Sequence, residues 1–124
     1  MDGLGHVGIP VTSLERSKAF YAQLGFRPVF EGMVNGNRVA MMEQKDVIFE
    51  LYQLSDSTLV ANCAGSIDHL ALAVHGIDQA FADISAMGMT ITEGICKIPA
   101  WENGTKYFIV RGPDGERIEF AQVL

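Results

Sequence analysis

The chain has 124 residues, 48% of them hydrophobic, with nine Lys and Arg against fifteen Asp and Glu for a formal charge of −6. That length can bury a core without disulfides or a structural metal, and an acidic balance with no Lys/Arg run excludes nucleic acid and anionic membranes as expected partners. No apolar run approaches the roughly 18 residues of a membrane span and no basic segment leads into an apolar one at the N-terminus, which predicts a cytoplasmic protein acting on a small molecule.

In chain order, GHVGIPV (5 to 11) alternates with period two, as a half-buried strand does. Thr12-Ser13-Leu14-Glu15 then reads as a capping box with Thr12 as the cap, and Leu14, Ala19 or Phe20, Tyr21 and Leu24 follow at helical spacing, with Gly25 placed to stop the helix. RVAMME and VIFELYQL are strand-like runs. The pattern then begins again: DHLALAV is a strand, Ile77, Phe81, Ile84 and Met87 make a helical stripe closed by Gly88, and TKYFIV and RIEFAQV are strand-like runs joined by the turn Gly112-Pro113-Asp114-Gly115.

The chain is therefore written twice. A shift of 63 sets His6 on His69, Val11 on Val74, Leu14 on Ile77 and Gly25 on Gly88; after a six-residue insertion the match resumes at a shift of 69, where VIFELYQL lies on ERIEFAQV and Glu50 on Glu119. The expected architecture is α+β, two tandem βαβββ modules (about 1–62 and 63–124) forming one domain with one curved mixed sheet. Cys63 and Cys96 are far apart and in no ligand-spaced cluster, so both are expected as reduced packing thiols.

Strand alternation sorts the polar residues by face. Val7, Ile9 and Val11 share one side of the first strand, leaving His6, Gly8 and Pro10 on the other; Leu70, Leu72 and Val74 leave His69 beside Ala71 and Ala73. Glu50 and Tyr52 oppose Phe49 and Leu51, and Glu119 and Ala121 oppose Ile118 and Phe120. A carboxylate on an apolar strand costs several kcal/mol unless paired or bound to a cation. A hydrogen-bonded His or a Glu facing water accounts for any one of these residues alone. Four of them, in equivalent places and flanked by small residues, point to a metal-binding concavity with His6, Glu50, His69 and Glu119 as ligands. His75 has no counterpart and is expected at the surface.

The order His6, Glu50, His69, Glu119 on paired βαβββ modules resembles the vicinal oxygen chelate superfamily, which includes glyoxalase I, methylmalonyl-CoA epimerase, extradiol dioxygenases, and fosfomycin and bleomycin resistance proteins. The resemblance covers essentially the whole chain and is strongest in HVGIPVTSLERSKAFYAQLGF and GPDGERIEF. It implies a bacterial glyoxalase I-like (lactoylglutathione lyase-like) enzyme with one divalent ion per site, nickel or cobalt ahead of zinc or manganese, and with Glu119 and Glu50 as catalytic carboxylates. It also implies a homodimer with intersubunit active sites. Glu50 stands where the epimerases usually present Gln, which favours the glyoxalase branch; the epimerase-like enzyme, a dioxygenase and a non-catalytic sequestering resistance protein are the alternatives. One departure bears on substrate. Glyoxalase I grips glutathione with an Arg four residues after its first ligand and an Asn four after its second, and here those places hold Pro10 and Leu54. The inserted Ile98–Gly104 segment, with the only Trp at Trp101, reads either as a lid or as packing on the sheet; Lys106 and Arg111 read either as anion-holding groups or as a solvated strand edge.

Overall fold

In the computed structural model, residues 1, 3–60 and 67–124 are described. The chain divides into two compact units, Met1–Asn62 and Cys63–Leu124. The first holds strand β1 (Val7–Val11), helix α1 (Leu14–Gln23), and strands β2 (Arg27–Val34), β3 (Asn37–Gln44) and β4 (Val47–Gln53), followed by a 3-10 turn at Ser57–Leu59. The second holds β5 (Leu70–Ala73), α2 (Ile77–Ala86), β6 (Thr90–Ile98), β7 (Thr105–Arg111) and β8 (Arg117–Val123). This is the tandem βαβββ α+β fold that the internal repeat predicts. Its strands pair as two four-stranded mixed sheets, β1-β4-β3-β2 and β5-β8-β7-β6, where the sequence suggested one curved sheet. Among the described residues no helix is long and apolar enough to cross a membrane.

Equivalent residues have equivalent places. β1 runs parallel to β4 with Gly8 opposite Glu50, and β5 runs parallel to β8 with Ala71 opposite Glu119. Aromatic rings fix the core face of each closing strand. Phe49 stacks on Phe26 at 4.7 Å and meets the edge of Tyr21 at 5.3 Å; Phe120 stacks on Phe108 at 5.0 Å, which takes the edge of Phe81 at 5.2 Å. Each buried ring contributes about 1.5–3 kcal/mol, so a one-residue slip that turned Phe49 or Phe120 outward and the adjacent Glu inward is strongly disfavoured.

The helix ends show where local chemistry differs from expectation. α1 is capped by Ser13 and not by Thr12: the Ser13 hydroxyl accepts the Arg16 N–H at 3.3 Å, while Thr12 Oγ1 accepts from the Arg16 guanidinium. Its C-terminus is the expected glycine stop. Gly25 has φ +93°, its N–H donates to Ala22, and the Phe26 N–H donates back to Tyr21, satisfying two terminal carbonyls. A further device was not foreseen. The Gln53 side-chain carbonyl accepts the Leu14 N–H at 2.8 Å, and Gln122 does the same for Ile77 at 2.8 Å, so in each unit the last strand ties down the first turn of the helix. Three residues before each of these glutamines stands Glu50 or Glu119.

Cys63 lies outside the described residues. Cys96 is exposed on β6, with its thiol donating to the Gly94 carbonyl at 3.3 Å, and so is not the packing thiol expected: β6 is an edge strand and nothing covers that side of it within its sheet.

Candidate metal-binding site

The alternation that hides Phe49, Leu51, Ile118 and Phe120 leaves Glu50 and Glu119 half-buried on the opposite sheet faces. His6 and His69 each sit one residue ahead of their strand, and parallel pairing carries each imidazole to the neighbouring carboxylate. His6 Nε2 lies 2.9 Å from Glu50 Oε2, and His69 Nε2 lies 3.2 Å from Glu119 Oε2. The structure thus brings the four predicted residues together as two pairs, one per unit. Among the described residues no group of three or more His, Cys, Asp or Glu side chains stands together as a cation site within the chain.

The pairs are spaced as hydrogen-bonded His–Glu contacts are, and that spacing is also compatible with a shared divalent cation. Two donors that each sit about 2.1 Å from one ion, at right angles, are about 3.0 Å apart, and both observed separations lie near that value. The donor chemistry agrees, because neutral imidazole with carboxylate suits the first-row divalent ions nickel, cobalt, zinc and manganese. Small residues keep the approach open. A side chain at Gly8 would come into contact with the Tyr52 ring at 3.4 Å, and Ala71, opposite Glu119, projects no more than a methyl.

Beside the first pair lies a cavity of about 400 Å³ whose lining includes Gly8, Asn35, Asn37, Glu50 and Tyr52, with Val34 and Val39 as its apolar part. It offers amide and phenol groups and no cationic side chain. Pro10 pairs with Tyr52 in the strand register, and Leu54 N–H donates to the Val11 carbonyl, so neither position supplies a charged or amide side chain. In the second unit the His69–Glu119 pair adjoins charged residues that sequence reasoning missed. Asp68 Oδ2 lies 2.8 Å from His69 Nδ1, and Arg117 donates to the same Asp68 carboxylate. The His69 hydrogen bond, helped by the Arg117 charge, holds the Asp68 carboxyl below the usual aspartate value. Desolvation, with Cys96 and Glu93 nearby, pushes the Tyr107 phenol up. The signal for Asp68 was its place next to His69, and for Arg117 its place two residues before Glu119.

Trp101 is neither closed over a site nor packed on the sheet. It is exposed, at φ +65°, on a loop that with Lys97, Pro99 and Asn103 borders a shallow hollow of about 510 Å³. Lys106 is half-buried, and Arg111 and His75 are exposed.

A family model described as "Glyoxalase/Bleomycin resistance protein/Dioxygenase superfamily" matches residues 3–120. The uncharacterized protein YwbC of Bacillus subtilis (strain 168) is 30% identical, over 96% of each chain. Among solved structures, a glyoxalase family protein from Enterococcus faecalis superposes with a TM-score of 0.83 at 20% identity over 97% of both chains. A glyoxylase/bleomycin resistance protein/dioxygenase domain from Frankia sp. EAN1pec superposes with a TM-score of 0.78 at 17% identity, over 100% of this chain and 99% of that one. At these identities the two structures speak for the fold alone.

Proposed function

The chain belongs to the Glyoxalase/Bleomycin resistance protein/Dioxygenase superfamily, and from that premise we propose that it is a divalent-metal-dependent lyase or isomerase of glyoxalase I type. Its substrate is a small α-hydroxycarbonyl or acyl thioester. The observation that carries this reading is the repetition of one His–Glu pair, at 2.9 Å and 3.2 Å, on the same register of two parallel strand pairs. His6, Glu50, His69 and Glu119 would hold the ion, nickel or cobalt ahead of zinc or manganese. When bound, a divalent ion strengthens a carbon acid by drawing charge from the adjacent carbonyl oxygen.

The protein's part is to move the proton. Glu119, half-buried beside an apolar core, is the proposed base: its carboxylate takes the proton from the carbon next to the carbonyl as the C–H electron pair moves toward the carbonyl oxygen. In a hydroxycarbonyl it then returns that proton to the former carbonyl carbon while the hydroxyl proton passes to the former carbonyl oxygen, so that the old C–OH becomes C=O. In an acyl thioester the proton returns to the carbon it left, and in both cases atoms and charge balance. Glu50 is the second carboxylate proposed to be able to do the same. His6 and His69 contribute donors without adding charge.

The substrate follows from what lines the cavity. A space of about 400 Å³ beside Glu50, with Asn35, Asn37 and Tyr52 and no cation, suits a compact neutral body. Glutathione carries carboxylates, and Pro10 and Leu54 stand where its grips would be. Losing one charge-assisted and one amide contact weakens transition-state binding by about 3–6 kcal/mol, a hundredfold to ten-thousandfold in rate.

Proton exchange into small hydroxyketones and acyl thioesters, followed by NMR in heavy water on nickel- and cobalt-loaded protein, tests this. Exchange should occur, fall by about 10²- to 10⁴-fold in Glu119→Gln, and exceed turnover of the methylglyoxal–glutathione hemithioacetal. A protein that takes up no divalent ion would favour the sequestering reading, and efficient hemithioacetal turnover would restore glutathione as substrate.

A further inference from the structure

The two His–Glu pairs differ in what stands behind them. In the second unit, Asp68 Oδ2 lies 2.8 Å from His69 Nδ1, so the ring is held through one nitrogen while the other faces Glu119. Arg117 at the start of β8 donates to Asp68 through Nη1 and to Glu93 of β6 through Nη2, the latter at 3.3 Å. Glu93 accepts in turn from the Tyr107 hydroxyl of β7 at 3.5 Å. A line of polar side chains thus runs from β6 and β7, across β8, to the back of one imidazole.

This line belongs to one half of the sequence only. The alignment that sets His6 on His69 and Glu50 on Glu119 places Gly5 where Asp68 stands and Ile48 where Arg117 stands. Neither can hold a ring, so the line exists in the second half alone. It is also poorly placed to stabilise the fold. Asp68 is two-thirds exposed and Arg117 more than one-third, and ion pairs in such positions contribute little.

From this geometry we infer that Asp68 and Arg117 are positioning residues for His69, an assignment that rests on the metal reading of the pair. Asp68 accepts the Nδ1 proton and thereby selects the tautomer whose lone pair is on Nε2, the atom beside Glu119 and the one a cation would need. Arg117 fixes the carboxylate that does the selecting. The second pair is then ready to bind before a metal arrives, and the ion is captured there first.

The test combines proton–nitrogen correlation spectra of the imidazoles in metal-free protein, in alkaline buffer where such rings are neutral, with cobalt(II) titrations followed by absorption. Wild type, Asp68→Ala and Asp68→Asn are compared. His69 should carry its proton on Nδ1 in wild type. Asp68→Ala should lose that preference and bind cobalt about 10- to 100-fold more weakly, with an unchanged melting temperature. Asp68→Asn, whose amide oxygen still accepts, should keep the tautomer and recover much of the affinity. A wild-type ring protonated on Nε2, or an Asp68→Ala protein with wild-type tautomer and affinity, would overturn the assignment and leave a surface ion pair. Wild type that takes up no cobalt would instead remove the metal reading, while the tautomers of wild type and Asp68→Ala still decide whether Asp68 sets the ring.

Discussion

Ser17 lies in α1 with its side chain fully buried and, among the described residues, no partner for its hydroxyl. A buried unpaired hydroxyl costs about 1–3 kcal/mol, and serine is also a poorer helix former than alanine. The internal repeat supplies its own comparison, because the equivalent position of α2 is Ala80. Ser17→Ala is expected to stabilise the protein by about 1 kcal/mol, read as a higher urea midpoint at unchanged slope; a loss of stability would mean that the hydroxyl has a partner. Legibility at this scale follows the same physics. Glu50 and Glu119 could be read because apolar neighbours dictate which way each must point. For Asp68 and Arg117 the sequence offered only their places near His69 and Glu119; their pairing, across 49 positions of sequence on exposed ground, is constrained by no hydrophobic pattern.

Helix α1 is tied to the strands beneath it by charge as well as by apolar packing. Glu15 pairs with Arg38 of β3 at 2.8 Å, and Lys18 pairs with Glu31 of β2. The hydrogen bond from Arg38, with the charge of Lys18, holds the Glu15 carboxyl below the ordinary glutamate value. Its contribution to stability is therefore fully present above that ordinary value and is lost as pH falls through the lowered one. The hydrogen bond to Glu31 raises Lys18, so its contribution is intact below the usual lysine value and disappears only as pH climbs through the raised one. Urea unfolding of wild type and Glu15→Gln should show a gap at pH 7 that narrows as pH falls through the lowered carboxyl value; a gap of constant size would show that Glu15 acts through packing alone. The same edge of the sheet explains which elements the sequence concealed. β2 is exposed throughout and slips register between Pro28 and Phe30, and β6 slips twice, between Ile91 and Glu93 and between Glu93 and Cys96. Each irregularity shifts the period-two pattern by which a strand is recognised. The core strands β4 and β8 have unbroken pairing, and their alternation was plain.

At the scale of the whole molecule, repetition in the sequence predicted two βαβββ modules but could not specify pairing partners, since alternation records which face is buried and not which strand lies alongside. Hence one sheet was expected where two are paired. Exposed apolar residues bear on assembly. Val29, Phe30, Met33 and Val34 on β2 and Ile95 and Ile98 on β6 all stand more than one-third exposed on edge strands, a surface that invites association. We propose a homodimer in which the partner chain covers part of this surface and each metal site draws one His–Glu pair from each chain. Sedimentation should give two chains per particle, with mixtures of His6→Ala and His69→Ala chains recovering part of the metal uptake that each variant lacks alone; a monomer that binds metal fully would refute the shared site.

The exposed loop at Trp101 gives the molecule one more property. It holds the only indole in the chain, 73% exposed at the rim of a hollow. Tryptophan emission and its quenching by a soluble collider therefore report on a single known place, with no competing signal. The emission expected from that exposure is that of an indole in water, and a ligand or partner that closes on the loop should shift it to shorter wavelength and shield it from the quencher. The segment that the second half gained on its twin is thus also a built-in optical gauge of its own occupancy.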